Sequence, residues 1–136
     1  MTLFVDETAL VALNSQMAPQ HAEATEFVRS LLNETVQVVT SPIAVALAAS
    51  ELKEKGGAEM AKHFIELMKD GGVKVFQDTK EIYALAESLF LQSEHMVDVS
   101  YIDCMHVAFM QHYQITKIFT FKEHMNQMNV LVIPKR

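Results

Sequence analysis

Two aspartates stand where carboxylate chemistry could occur. Asp6 directly follows the short apolar run 3–5, and Asp103 comes three residues after Ser100 at the start of a helical pattern. If the run is a strand of a parallel sheet, Asp6 lies at the carboxyl edge, where open α/β folds place their sites. Carboxylates gathered there would hold a hard cation such as Mg²⁺. The simpler alternative is that Asp6 caps a helix and Asp103 completes a capping box with Ser100.

The elements that would position these acids alternate along the chain. β-like runs with branched or aromatic residues alternate with stretches of helical periodicity, some of them bounded by cap and glycine signals. This alternation predicts an α/β fold in which a parallel five-stranded sheet lies between helical layers. The predicted strands are 3–5, 36–39, 73–76, 117–119 and 130–133, and the predicted helices are 8–13, 20–33, 42–55, 58–70, 79–92 and 101–113, with a short turn at 123–128.

Length and charge limit the classes of protein. A chain of 136 residues predicts a single domain over 1–136. No apolar run approaches the ~18 residues of a membrane span, so we expect a cytoplasmic protein with no membrane contact. Eleven basic against seventeen acidic residues give a net charge of −6. That balance disfavours a broad phosphate-binding surface, although a cleft loaded with metal could still act on RNA.

Three segments together resemble one family. Residues 6–13 are similar to the opening of PIN domains, including the VapC-type toxins, where a strand ends in Asp and a helix follows. Residues 101–108 resemble the later helix start of that family, which also carries an Asp. Residues 118–125 resemble its terminal Thr-Phe-Asp-x-His-Phe segment. Their order and separation match over essentially the whole chain.

The resemblance implies a three-layer α/β/α PIN-like fold and a metal-dependent endoribonuclease that acts on RNA phosphodiester bonds. The family holds Mg²⁺ or Mn²⁺ between three or four carboxylates, and the ion activates a water and neutralises charge on the phosphate. It also implies a homodimer and a cognate antitoxin protein as partner.

When the four acid positions of the family are matched to this sequence, only two of them hold an acid. Asp6 and Asp103 match the first and third acids and are the predicted metal ligands and catalytic residues. Leu47 stands at the second position and Lys122 at the fourth. An ammonium near Asp6 and Asp103 would neutralise them, repel a divalent ion, and could take over its electrostatic role.

Two weaker candidates complete the predicted site. Thr8 matches a hydroxyl that would orient the carboxylates, with a first-turn contact as the alternative. Glu51 lies one turn beyond Leu47 and could replace the missing acid, or it could belong to a solvated helix face. Glu7 could also join the site, although neighbouring residues point in different directions, or it could only favour the first helical turn. His124 matches a family histidine of structural use.

Two functions therefore stay open. The first is a VapC-type metal-dependent endoribonuclease, possessing a reduced acidic set. The alternative is a catalytically inactive PIN-fold module that binds RNA or a protein partner. A response-regulator receiver fits less well, because two helices are predicted between the second and third strands.

Overall fold

The computed structural model describes residues 1–135, so Arg136 of the predicted 1–136 domain lies outside the described residues. Five strands are separated by three pairs of α-helices and, before the last strand, by one 3₁₀ helix. The strands are β1 Thr2–Val5, β2 Gln37–Thr40, β3 Lys74–Val75, β4 Lys117–Phe119 and β5 Leu131–Ile133. The helices are α1 Glu7–Asn14, α2 His21–Ser30, α3 Pro42–Gly56, α4 Ala58–Lys69, α5 Lys80–Gln92 and α6 Tyr101–His112, and the 3₁₀ helix is Glu123–Met128.

The five strands form one parallel sheet in the order β3-β2-β1-β4-β5. The register pairs Phe4 of the central strand with Val39 on one side and Ile118 on the other. Two apolar clusters flank the sheet: one joins it to α5 and α6, and the other joins it to α1, α2, α3 and α4. The predicted parallel five-stranded α/β fold is confirmed.

Local signals place several helices as predicted. Ser41 accepts a hydrogen bond from the backbone N–H of Ala44 at 3.1 Å, and Pro42 occupies the first turn of α3. Proline fits there because the N–H it lacks would have no intrahelical partner.

In the described part of the chain, no helix is long and apolar enough to cross a membrane.

Two elements are shorter than predicted by more than one residue. Helix α2 ends at Ser30 instead of residue 33, because Leu31 and Leu32 donate to the carbonyls of Val28 and Arg29 in tight turns. Strand β3 keeps two of the four predicted residues. It lies at the sheet edge and pairs only with β2, so tertiary pairing limits its length more than its β-branched residues do.

Candidate functional site

Three chain segments meet at the carboxyl edge of the central strands. Asp6 follows β1 and caps α1, and its backbone N–H donates to the carbonyl of Phe119 at 3.2 Å. That bond joins the end of β1 to the end of β4, which continues into Thr120 and Lys122. The start of α6 brings Asp103 to the same place, as the ion pair between Asp103 and Lys122 shows.

Asp6 is fully buried, and hydroxyl and backbone donors hold its carboxylate. Its Oδ1 accepts hydrogen bonds from Thr8 Oγ1 at 2.6 Å and from the backbone N–H of Ala9 at 3.1 Å, and its Oδ2 accepts from Thr120. Burial, followed by the charge of Glu7, raises the pKa of Asp6 above its usual value. The simpler interpretation of Asp6 is confirmed, because its side chain caps α1, and the carboxylate lies at the carboxyl edge of β1.

Lys122 lies between two carboxylates. Its Nζ is 2.9 Å from Glu7 Oε1 and 3.0 Å from Asp103 Oδ1. Burial acts to lower the pKa of Lys122, but the nearby carboxylates of Glu7, Asp6 and Asp103 outweigh it and raise that pKa. Lys122 is therefore an ammonium ion with only 22% of its side chain exposed.

Glu7 belongs to the same network, which is the less expected of its two interpretations. His106 Nε2 lies 3.0 and 3.1 Å from its two oxygens. Burial acts to raise the pKa of Glu7, but His106 and Lys122 outweigh it and lower the pKa to about 2. Because Glu7 is then ionised and only accepts, His106 Nε2 carries the hydrogen and donates. Within residues 1–135, the buried His106 Nδ1 has no hydrogen-bond partner.

Asp103 both caps helix α6 and takes part in the charged network. Its Oδ2 accepts from the backbone N–H of Ser100 at 2.9 Å, and the Ser100 hydroxyl accepts from the backbone N–H of Asp103, which confirms the predicted capping box. The same Oδ2 accepts from His124 Nε2 at 2.8 Å. Burial acts to raise the pKa of Asp103, but the Ser100 N–H, Lys122 and His124 together lower it.

The two weaker candidates lie in different surroundings. Thr8 donates to Asp6, and its Oγ1 accepts from the backbone N–H of Phe121 at 3.0 Å, so this hydroxyl orients the Asp6 carboxylate. In the described chain, Glu51 pairs with Lys55 at 3.5 Å instead of joining Asp6 or Asp103, and 44% of its side chain is exposed. This matches the solvated helix face, the alternative stated for Glu51.

Sequence reasoning missed two residues that hold the site together, His106 and Thr120, and named Glu7 only as an alternative. His106 follows Asp103 by three residues, so both lie on one face of α6, and this spacing was the available signal. Thr120 directly follows β4 and points at Asp6 because β4 lies beside β1. That adjacency cannot be read from spacing along the chain.

The donor set fits Mg²⁺ poorly in this arrangement. Every carboxylate oxygen of Asp6, Glu7 and Asp103 already accepts a hydrogen bond from a protein donor. Mg²⁺ needs near-octahedral oxygen ligands, and Lys122 places a positive charge between two of these acids. Among residues 1–135, Asp6, Glu7 and His106 form a group of potential ligands whose atoms lie within 4.8 Å of one another.

Comparison with known proteins identifies the family. The family model described as PIN domain matches residues 3–131. This chain belongs to the PIN-domain family. No match was found among curated proteins.

Solved structures share the PIN fold of this chain. One is Mycobacterium tuberculosis VapC20, a sarcin-ricin loop cleaving toxin, with 18% identity, a TM-score of 0.85, and coverage of 95% of this chain and 96% of that chain. VapBC-1 from nontypeable Haemophilus influenzae has 16% identity, a TM-score of 0.69, and coverage of 97% of this chain and 96% of that chain. FitAcB from Neisseria gonorrhoeae has 13% identity, a TM-score of 0.66, and coverage of 96% of this chain and 95% of that chain.

Proposed function

We propose that this PIN-domain protein is a non-cleaving binding module of the VapC type, whose partner is an antitoxin-like protein. The observation that carries the proposal is the position of Lys122, with its Nζ within 3.0 Å of both Glu7 and Asp103. A positive charge built into the chain occupies the place where the resemblance expects a carboxylate and an ion. Leu47, at the second acid position, supplies no ligand for an ion.

Electrostatics explains why the ammonium would persist. Lys122 is mostly buried, so leaving Glu7 and Asp103 without it would expose two buried carboxylates to each other's repulsion. A divalent ion entering beside Lys122 would meet a like charge at short range. The ion must therefore displace Lys122 before it can use either carboxylate.

An antitoxin-like partner and a homodimer follow from the resemblance to VapC-type toxins, and the likeness to VapBC-1 and FitAcB supports the partner. Co-expression with the product of an adjacent reading frame, followed by size-exclusion chromatography with light scattering, tests both. We expect a complex of two PIN chains with bound partner. A monomer that co-purifies with nothing would contradict this part of the proposal.

A metal-dependent endoribonuclease is the second candidate, because ligand atoms of Asp6, Glu7 and His106 lie within 4.8 Å of one another. The similarity to the toxin VapC20 also supports RNA as the substrate. In this candidate Asp6 would hold Mg²⁺ or Mn²⁺ together with Glu7 of that group and with Asp103, after Lys122 had turned away. The bound ion would supply an activated water and neutralise charge on the phosphate.

Thermal melting with and without millimolar Mn²⁺ separates the two candidates. A ligand that binds the native state stabilises it, so a non-cleaving module should keep its melting temperature and should leave RNA intact. The enzyme would instead melt several degrees higher with Mn²⁺ and cut RNA, and Asp6→Asn would abolish both effects. Glu51→Gln is the matched control, because Glu51 lies outside the network.

A further inference from the structure

A second group of metal-ligating side chains lies away from the acidic network. A cavity of about 570 Å³ opens between the end of α1, the α1–α2 loop and α4. Met17, His21, Met60 and His63 are among the residues that line it, and Asp6, Glu7, Asp103 and Lys122 are not. No carboxylate is among the residues that line this cavity, so its chemistry differs from that of the acidic network.

His21 has a fixed tautomer. Its Nδ1 lies 2.8 Å from the carbonyl oxygen of Ala12, and because a carbonyl only accepts, Nδ1 carries the hydrogen. In the neutral ring Nε2 then bears the free lone pair. A backbone carbonyl that fixes one ring nitrogen in this way is the usual outer support of a metal-binding histidine.

Helix α4 supplies the other ligands. Met60 and His63 are three residues apart, so they lie on one face of the helix, the face that borders the cavity. Gly56 leaves room for the thioether, because a Cβ at that position would stand 2.3 Å from Met60 Sδ. Met17 lies in the α1–α2 loop and is 88% exposed, so it can reach a bound ion without disturbing the core.

The ligand types decide the class of metal. Thioether sulfur is a soft ligand that selects Cu(I), and imidazole also suits copper, whereas Mg²⁺ and Ca²⁺ require oxygen. We propose that this cavity is a Cu(I) site held by His21 Nε2, His63 and Met60, with Met17 as an additional thioether. The site is independent of the proposed function at the acidic network.

Competition with a chromophoric Cu(I) chelator under anaerobic conditions tests the site in the full-length protein. We expect one Cu(I) per chain, and at least tenfold weaker binding in His21→Gln and in His63→Gln. Met60→Leu, which conserves side-chain volume, should also weaken Cu(I) binding at least tenfold while lowering the melting temperature of the metal-free protein by no more than a few degrees. His95→Gln is the matched control, because His95 is exposed and lies outside the cavity.

Two results would overturn the proposal. One is the absence of stoichiometric Cu(I) binding by the native protein. The other is equal affinity in native protein, His21→Gln and His63→Gln, each shown to be folded by its thermal transition. Unchanged affinity in Met60→Leu and in Met17→Leu would overturn the assignment of the two thioethers as ligands, because Cu(I) binding would then depend on imidazole alone.

Discussion

Lys122 Nζ lies 3.0 Å from Asp103 Oδ1, so an ion pair connects the segment after β4 to the start of α6. Glu7 completes the contact from the side of β1, at 2.9 Å from the same nitrogen. The network thus ties together the three segments that form the carboxyl edge of the sheet. The network therefore stabilises the contact between these segments and is also the candidate site.

Removing the ammonium should destabilise the fold. Lys122→Met leaves two mostly buried carboxylates unpaired, and we expect the free energy of unfolding to fall by about 2–4 kcal/mol in urea titrations. Lys55→Met is the matched control, because its pair with Glu51 is exposed and should contribute less than about 1 kcal/mol. Equal losses in the two variants would show that the Lys122 pairs contribute no more than a surface contact.

Restoring both missing acids should create a metal site. In Leu47→Glu with Lys122→Asp, the positive charge is replaced by carboxylates, and millimolar Mn²⁺ should raise the melting temperature by several degrees. At a hundredfold excess over the dissociation constant, binding adds about 2.7 kcal/mol of stability. The uncharged pair Leu47→Gln with Lys122→Asn is the control and should not respond. No response in the acidic pair would mean that the site has lost more than two ligands.

Glu7 should make stability depend on acidic pH. Its folded pKa of about 2 is below the usual 4.5, so its contribution is complete above pH 4.5 and is lost as the pH falls towards about 2. Glu7→Gln removes this titration, and the decline in unfolding free energy over that interval should become shallower. Glu81→Gln is the control: the pKa of Glu81 is also lowered, but the residue is exposed. A decline as steep in Glu7→Gln as in the native protein would contradict the prediction.

Thr120 should contribute to stability through Asp6. Thr120→Val keeps the shape but removes the hydroxyl that donates to Asp6 Oδ2, which leaves a buried carboxylate with one partner fewer. We expect a loss of about 1–3 kcal/mol in the free energy of unfolding by urea titration. Thr116→Val, at an exposed position, should change it by less than about 0.5 kcal/mol. A neutral Thr120→Val would show that the carboxylate does not depend on that donor.

Local signals in the sequence account for most of the fold. Ser41-Pro42 predicts the start of α3, and Ser100 with Asp103 predicts the capping box of α6, because cap bonds form between residues three apart. The strand boundaries follow less directly from the sequence. The length of β3 is limited by its pairing with one neighbouring strand, β2, and not by its own composition. The same reasoning located Asp6 and Asp103, since each follows or begins a recognisable element.

The sequence by itself determined the alternation of strands and helices, the places of Asp6 and Asp103, and the presence of Leu47 and Lys122 where acids are expected. Only the tertiary structure decided which charges meet. Glu7 and His106 are 99 residues apart, and Glu7 and Lys122 are 115 apart, yet both pairs lie within about 3 Å. The sheet order places β1 beside β4, and hydrogen bonding at that edge depends on which strands are neighbours, which no local spacing encodes.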